Sequence, residues 1–360
     1  MSDVYIKKRV SRIRNKLMEE DLEALLVTNP VNCRYLSGFT GSAVTLFITL
    51  EDAYLITDFR YSQQAEQEAP LFSIISRGSL ASALEELCRD KGNQNIGFEQ
   101  NYMTVYIHDL LRKSYSDLRL VPLFKIVEKL RAVKDIEEIS LLRRAAEITQ
   151  ESYKKILSLI KPGMQEREVS IELEYLLKKE GGDKAAFDFI AASGERSSMP
   201  HGTASSKIIE PGDLLTLDFG VHYQGYCSDM TRTVAIGYAG EREKELYQLV
   251  LRAQMEALSH IRAGITGETA DNTARRMITE KELGKNFGHG LGHGLGLEVH
   301  EEPRLAPGIK TVLETGMVVT VEPGVYIPGF GGVRIEDTVV IQDNGCDMLT
   351  QKYKEDLLIL

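Results

Sequence analysis

The sequence predicts a small α/β domain over residues 1–125 and a pseudo-symmetric α+β domain over residues 126–360. Three observations carry this prediction. Short apolar strands alternate with helical stretches through the first third of the chain, the pattern of a layered α/β domain. Beyond residue 126, runs of helices are instead followed by runs of paired strands. Finally, the stretch Glu210-Pro-Gly-Asp-Leu-Leu-Thr-Leu-Asp218-Phe-Gly220 recurs 104 residues later as Glu314-Thr-Gly-Met-Val-Val-Thr-Val-Glu322-Pro-Gly324. An internal repeat of this kind signals a domain built from two similar halves, with a site between them.

The elements follow in order. Val4, Ile6, Val10, Ile13 and Leu17 recur at helical spacing over residues 4–20. Residues 22–27 read as a short apolar strand ended by a turn at Asn29-Pro30. Residues 43–49 and 53–57 form two strands around a charged turn at Glu51-Asp52. Helices over 62–69, 79–91 and 103–115 alternate with short strands such as 72–75. Residues 126–160 read as helix, stopped by Lys161-Pro162-Gly163, and a further helix at Glu166–Lys179 is closed by Gly181-Gly182. Paired strands, helices near 241–262 and 267–282, and more paired strands complete the chain.

Composition narrows the function. The 360 residues carry 43 basic and 53 acidic side chains, a net charge of −10. That excess of acid argues against a nucleic-acid groove or a surface for anionic membranes, both of which need basic patches. Cys33, Cys88, Cys227 and Cys346 form no CxxC pair, which excludes a zinc ribbon or a thioredoxin-type motif. In a chain of this length they read as reduced thiols in the cytoplasm. No apolar run approaches the ~18 residues of a membrane span. Residues 1–14 are polar and basic with no apolar stretch, so no secretory signal is expected.

The chemistry concentrates in the second domain. Residues 214–233 and 317–340 read as two β-hairpins, with turns placed at Tyr223-Gln224 and near Gly329. These turns set Asp218 opposite Asp229 and Thr216 opposite Thr231 in the first hairpin. In the second they set Glu322 opposite Glu336 and Thr320 opposite Thr338. Like charges directly opposed on a sheet are destabilising. One such pair reads as a solvated face. Two pairs at repeat-related positions, with Leu215, Leu217, Val319 and Val321 on the opposite face, point to divalent cations held by hard carboxylate oxygens. The segment 287–302, FGHGLGHGLGLEVHEE, holds three of the seven histidines: His289, His293 and His300. The pattern G-x-G-x-x-G fails at every register, so its glycines read as permitting close backbone approach to a site. HExxH is absent, which excludes a zincin. With His201, just ahead of the first hairpin, these histidines are candidates for ligand and acid/base roles. His108, His222 and His260 read as structural.

The motifs LDFG (217–220), SDMTRT (228–233), GHGLGLEVHE (292–301), VEPGVY (321–326) and GGVRIEDT (331–338) resemble the pita-bread metallopeptidase family. That family includes Xaa-Pro aminopeptidase, Xaa-Pro dipeptidase (prolidase) and methionine aminopeptidase. YLSGFTG (35–41) and TDFRY (57–61) resemble its creatinase-like N-terminal domain, which points to the Xaa-Pro branch. The resemblance implies a pita-bread catalytic domain with metal ligands Asp218, Asp229, His293, Glu322 and Glu336. Asp229 and Glu336 would bridge two divalent ions, Asp218 would hold one, and His293 with Glu322 the other. Four oxygen-donor residues and one imidazole suit Mn²⁺, with Co²⁺ or Zn²⁺ as alternatives. The implied mechanism is attack by a metal-bridging hydroxide. Glu322 would be general base, His300 would stabilise the oxyanion, and His201 and His289 would contact substrate.

Arg334 reads either as orienting a substrate carboxylate or as a structural partner of the acidic cluster. Tyr326 reads as lining a proline pocket or as core, and Thr231 and Thr338 as supports for the carboxylates. The implied activity is Xaa-Pro aminopeptidase, releasing the N-terminal residue from short proline-containing peptides. Xaa-Pro dipeptidase, a metal-free creatinase-like hydrolase and an inactive peptide-binding module stand as alternatives. The resemblance also implies a cytoplasmic homodimer, the N-terminal domain of one subunit closing over the other's site. Neither nucleic acid nor membrane is an expected partner.

Overall fold

The computed structural model describes residues 2–76, 79–91, 94–114 and 118–360. Tyr115, the last residue of the helix expected over 103–115, lies outside them. The chain divides into two compact units, Met1–Arg131 and Ala132–Leu360.

The first unit runs α1 (Asp3–Glu19), β1 (Ala24–Val27), α2 (Pro30–Ser37), β2 (Thr45–Thr49), β3 (Ala53–Ile56), α3 (Ser62–Glu68), β4 (Ser73–Ile75), α4 (Leu80–Lys91), β5 (Asn95–Glu99), α5 (Val105–Ser114), β6 (Arg119–Leu123) and α6 (Ile126–Ala132). Its strands form one mixed sheet in the order β4-β3-β2-β1-β5-β6. Leu26, Phe47, Leu84, Ile96 and Phe98 fill the core on one face. The turn expected at Asn29-Pro30 is instead the start of α2. Asn29 Oδ1 accepts the Val31 N–H at 2.9 Å, and Pro30 takes the first helical position. Proline fits there because that N–H has no helical partner in any case. Asn29→Ala is expected to destabilise this unit by about 1 kcal/mol, read as a lower urea midpoint. An unchanged midpoint would show the cap to be idle.

The second unit begins with α7 (Ile136–Ile156) and α8 (Glu166–Lys179). The single helix expected over 126–160 is broken between α6 and α7. There Asp135 and Glu138 form a reciprocal capping box, each side chain accepting the other's N–H at 3.0 Å. Then come β7 (Lys184–Ala185), β8 (Ile190–Ser193), β9 (Leu214–Phe219), β10 (Val221–Tyr223), β11 (Tyr226–Cys227) and β12 (Met230–Ala235). After α9 (Glu241–His260) and α10 (Gly267–Thr279), the chain continues as β13 (Gly292–Gly294), β14 (Glu301–Leu305), β15 (Val318–Val321), β16 (Gly324–Ile327), β17 (Gly331–Arg334), β18 (Asp337–Gln342) and β19 (Gly345–Met348).

Each half pairs two helices with a sheet. Helices α7 and α8 cover β12-β9-β8 through Ile148, Leu173, Leu217 and Phe219. Helices α9 and α10 cover β14-β13-β15-β18-β19 through Val250, Ala274, Val319 and Val339. This is the two-fold arrangement the internal repeat predicts.

The two hairpins differ in how well their registers were predicted. In the second, Thr320 faces Thr338, as expected, and Gly324 faces Arg334. In the first, Asp218 faces Thr231 rather than Asp229, and Thr216 faces Thr233. The turn falls at Gln224-Gly225, where φ is +47° and +96°. A two-residue turn that matches the strand twist needs positive φ at both central positions. Gly225 adopts that conformation at little cost and displaces the turn by one residue from Tyr223-Gln224.

Candidate metal centre

The acidic residues lie at ends and breaks in the strands. Asp218 is near the end of β9, and Asp229 immediately precedes β12. Glu322 falls between β15 and β16, and Glu336 between β17 and β18. These backbone breaks are satisfied across the domain. The Glu322 N–H donates to the Leu291 carbonyl at 2.8 Å and the Glu336 N–H to the Thr231 carbonyl at 3.1 Å. The result is convergence. One ligand atom each from Asp229, His293 and Glu336 lie within 4.8 Å of one another. His293 Nε2 stands 3.2 Å from Glu322 Oε1 and 3.7 Å from Asp229 Oδ2. Asp229 and Glu336 are only 4% and 2% exposed, so little solvent screens them.

Threonines hold the acids in place. Thr231 Oγ1 donates to Glu336 Oε2 at 2.7 Å. Thr338 Oγ1 donates at 2.9 Å to the backbone carbonyl of Asp229, not to its carboxylate. Thr320 has two roles: its hydroxyl donates to Glu322 Oε1 and accepts the His293 N–H, both at 3.1 Å. His293 Nδ1 faces the Gly294 carbonyl at 3.1 Å, so it carries the proton and Nε2 is left for the acids. Gly292 makes this packing possible. A Cβ there would sit 2.0 Å from the Thr320 carbonyl oxygen, so the close approach it permits is to β15 and not to a ligand.

Electrostatics set this cluster apart. Burial, then the charges of Glu336 and Asp218, push the Asp229 carboxyl well above the ordinary range. Burial with the charges of Glu322 and Asp218 does the same to Glu336. Burial also raises Asp218, despite Arg334 beside it. Burial would raise Glu322 too, but the hydrogen bond and charge of His293 outweigh it and bring the carboxyl to about 2. Burial opposes charge on His293, yet Glu322 raises it. Asp218 Oδ1 and Asp229 Oδ1 are buried and have no hydrogen-bond partner. Such oxygens are costly unless something binds them. Unpartnered hard oxygens converging with one imidazole fit a divalent cation.

Arg334 is tied into the protein through all three of its nitrogens. Nη2 donates to Asp218 Oδ2 at 2.7 Å, Nε to Thr231 Oγ1 at 3.1 Å, and Nη1 to Tyr326 Oη at 2.9 Å and the Pro200 carbonyl at 3.2 Å. It is therefore a partner of the acidic cluster, with four of its five N–H groups engaged and one Nη2 hydrogen left over. Tyr326 Oη also lies 2.9 Å from His289 Nε2, and His289 Nδ1 lies 2.7 Å from the Gly290 carbonyl. A carbonyl only accepts, so Nδ1 carries the proton and Nε2 accepts from Tyr326. Donation thus runs from Arg334 to Tyr326 to His289 to Gly290. Both ring nitrogens of His289 are thus engaged within the protein, and the buried Tyr326 hydroxyl is a link in this network. His300 is exposed, its ring 4.3 Å from that of His293. Burial and the His293 charge lower its pKa. His201 is exposed beside Pro200. Neither the His201 ring nor the His300 ring makes a hydrogen bond among the described residues, although the His201 carbonyl accepts the Thr203 N–H at 2.9 Å.

Comparison with known proteins agrees with this geometry. Residues 140–343 match metallopeptidase family M24, and residues 9–133 match the creatinase/prolidase N-terminal domain. An Xaa-Pro dipeptidase of Pyrococcus horikoshii is 38% identical, over 97% of this chain and 99% of that protein. The solved structure of an Xaa-Pro dipeptidase from Bacillus anthracis has a TM-score of 0.96 at 45% identity, covering 99% of this chain and 100% of that one. An X-Pro aminopeptidase structure from Thermotoga maritima has a TM-score of 0.91 at 37% identity, covering 98% and 99%.

Proposed function

The chain belongs to metallopeptidase family M24, and on that premise we propose that it is an Xaa-Pro dipeptidase acting on two-residue peptides that end in proline. It is a metal-dependent hydrolase. The observation that carries the reading is the largely buried cluster of four carboxylates and His293, in which Asp218 Oδ1 and Asp229 Oδ1 have no hydrogen-bond partner among the described residues. The first expectation was an aminopeptidase. The relatives named dipeptidase at 38% and 45% identity favour the shorter substrate. The Thermotoga maritima structure keeps aminopeptidase as the second reading. Ala-Pro should be cleaved and Ala-Pro-Ala-Ala left intact when both are assayed at equal concentration. Comparable kcat/KM on the tetrapeptide would transfer the chain to the aminopeptidases.

Asp218, Asp229, His293, Glu322 and Glu336 would hold the divalent ions. Mn²⁺ suits this donor set, with Co²⁺ and Zn²⁺ as alternatives. When bound, such ions polarise the substrate carbonyl and lower the pKa of a water. The rest falls to the side chains. Arg334 occupies one Asp218 oxygen and leaves the other for binding. Glu322 in its ionised form would accept the proton of the attacking water. It then delivers that proton to the proline nitrogen, which has no hydrogen of its own and cannot leave without one. His300, with its lowered pKa, is neutral near pH 7 and can donate an N–H to the carbonyl oxygen as charge develops there. His201 would contact the substrate, while His289 and Tyr326 hold Arg334 in position. A cytoplasmic homodimer belongs to the same reading. Among the described residues no helix is long and apolar enough to cross a membrane.

A further inference from the structure

We infer that Lys354 is a positioning residue for Glu322 and Glu336, acting through the buried carboxylate of Asp337, an inference that rests on the metal-centre reading above. Asp337 opens β18, directly after Glu336, and is 0% exposed. Its Oδ1 accepts from Arg232 Nη2 at 2.7 Å and Thr350 Oγ1 at 3.0 Å. Its Oδ2 accepts from Gln254 Nε2 at 3.0 Å and from the Lys354 ammonium.

These donors also grip the backbone that carries the ligands. Arg232 Nη1 donates to the Glu336 carbonyl at 2.5 Å and the Thr231 carbonyl at 2.9 Å. Gln254 Nε2 donates at 3.1 Å to the carbonyl of Val321, the residue before Glu322. Lys354 Nζ donates to Gln254 Oε1 at 3.0 Å, which fixes the amide so that its NH₂ faces Asp337 and Val321. One ammonium therefore orients the group that links the two ligand-bearing strands. Lys354 is itself anchored, because its carbonyl accepts from Tyr247 Oη at 2.9 Å. None of these side chains is among the proposed ligands.

Charge fits the same role. Asp337 and Glu355 both favour the Lys354 ammonium, which is 6% exposed and shares Asp337 with Arg232. Burial in such company keeps the ammonium where it can orient Gln254.

The test uses the full chain and Mn²⁺ alone. Lys354→Met leaves Asp337 and Arg232 as a neutral pair, so it is gentler than removing Asp337. Chelator competition is expected to show a roughly ten-fold weaker Mn²⁺ affinity, the lower end for loss of a residue that supports a ligand. Lys354→Arg should restore most of it. Lys352→Met, an exposed lysine of the same segment, should keep wild-type affinity. A purely structural role would lower the unfolding midpoint of the metal-free protein and leave the Mn²⁺ affinity of the folded fraction unchanged. That result overturns the inference. If Lys354→Met does not fold, Gln254→Leu, which changes no charge, gives the same reading: weaker Mn²⁺ binding supports the inference and unchanged binding overturns it. Wild-type protein that binds less than one Mn²⁺ per chain would instead overturn the metal-centre reading.

Discussion

Glu322→Gln is expected to lower kcat on Ala-Pro by about 10³-fold, within the range for loss of a general acid–base group, while the fold survives. The substitution is nearly isosteric, and its carbonyl oxygen can still accept from Thr320, which now stands 3.1 Å from Glu322 Oε1. What disappears is the charge. His293, 3.2 Å away, loses the partner that raises its pKa, and an amide cannot take a proton from water or pass one to the proline nitrogen. KM should change little, because Glu322 is proposed to contact the reacting water and not the substrate side chains. The assay belongs at saturating Mn²⁺, with bound metal counted on the same sample, so that a loss of ligand is not read as a loss of base. A variant that retains near-normal kcat would remove Glu322 from the chemistry.

The sequence carried the site further than it carried the local geometry. The repeat between Asp218 and Glu322 located both halves of the domain, and the turn near Gly329 set Thr320 opposite Thr338. The first hairpin failed on one turn. Gln224 takes positive φ, which glutamine does rarely, and only Gly225 beside it signalled the position. Asp218 therefore faces Thr231 across that hairpin, and not Asp229. The acids meet because the two hairpins pack on each other, through Thr231 to Glu336 and Thr338 to the Asp229 carbonyl. Contacts between segments about 105 residues apart leave no local period to read. The same holds for Lys354 behind Asp337 and for the partners of Arg334. Asn29-Pro30 was a different failure, because a cap followed by proline and a turn share the same residues.

Asp229→Ala is expected to abolish Mn²⁺ binding and activity without destabilising the metal-free fold. In the metal-free protein Asp229 is a liability: its Oδ1 has no partner, and Glu336, Asp218 and Glu322 all repel its charge. Removing it relieves that repulsion, so the metal-free unfolding temperature should hold or rise. The wild-type response to pH follows from the same groups. Asp218 and Asp229 have carboxyls raised from 3.8, and Glu336 from 4.5. The folded metal-free chain therefore holds more protons than the unfolded one above those values. The stability these groups contribute is full below about pH 4 and is lost as pH rises through their raised values. His293, also raised, acts in the same sense. Glu322 opposes them: its contribution is present above 4.5 and is lost only as pH falls toward about 2. A divalent ion held by these carboxylates would reverse the balance, because a carboxylate binds metal only when deprotonated. The shift in unfolding temperature on adding Mn²⁺ should thus grow in wild-type protein as pH rises through the raised values of these carboxyls, and vanish in Asp229→Ala. Elemental analysis of the wild type should find two ions per chain. A Mn²⁺ shift that ignores pH, or one that survives Asp229→Ala, would mean that the ion binds somewhere other than this cluster.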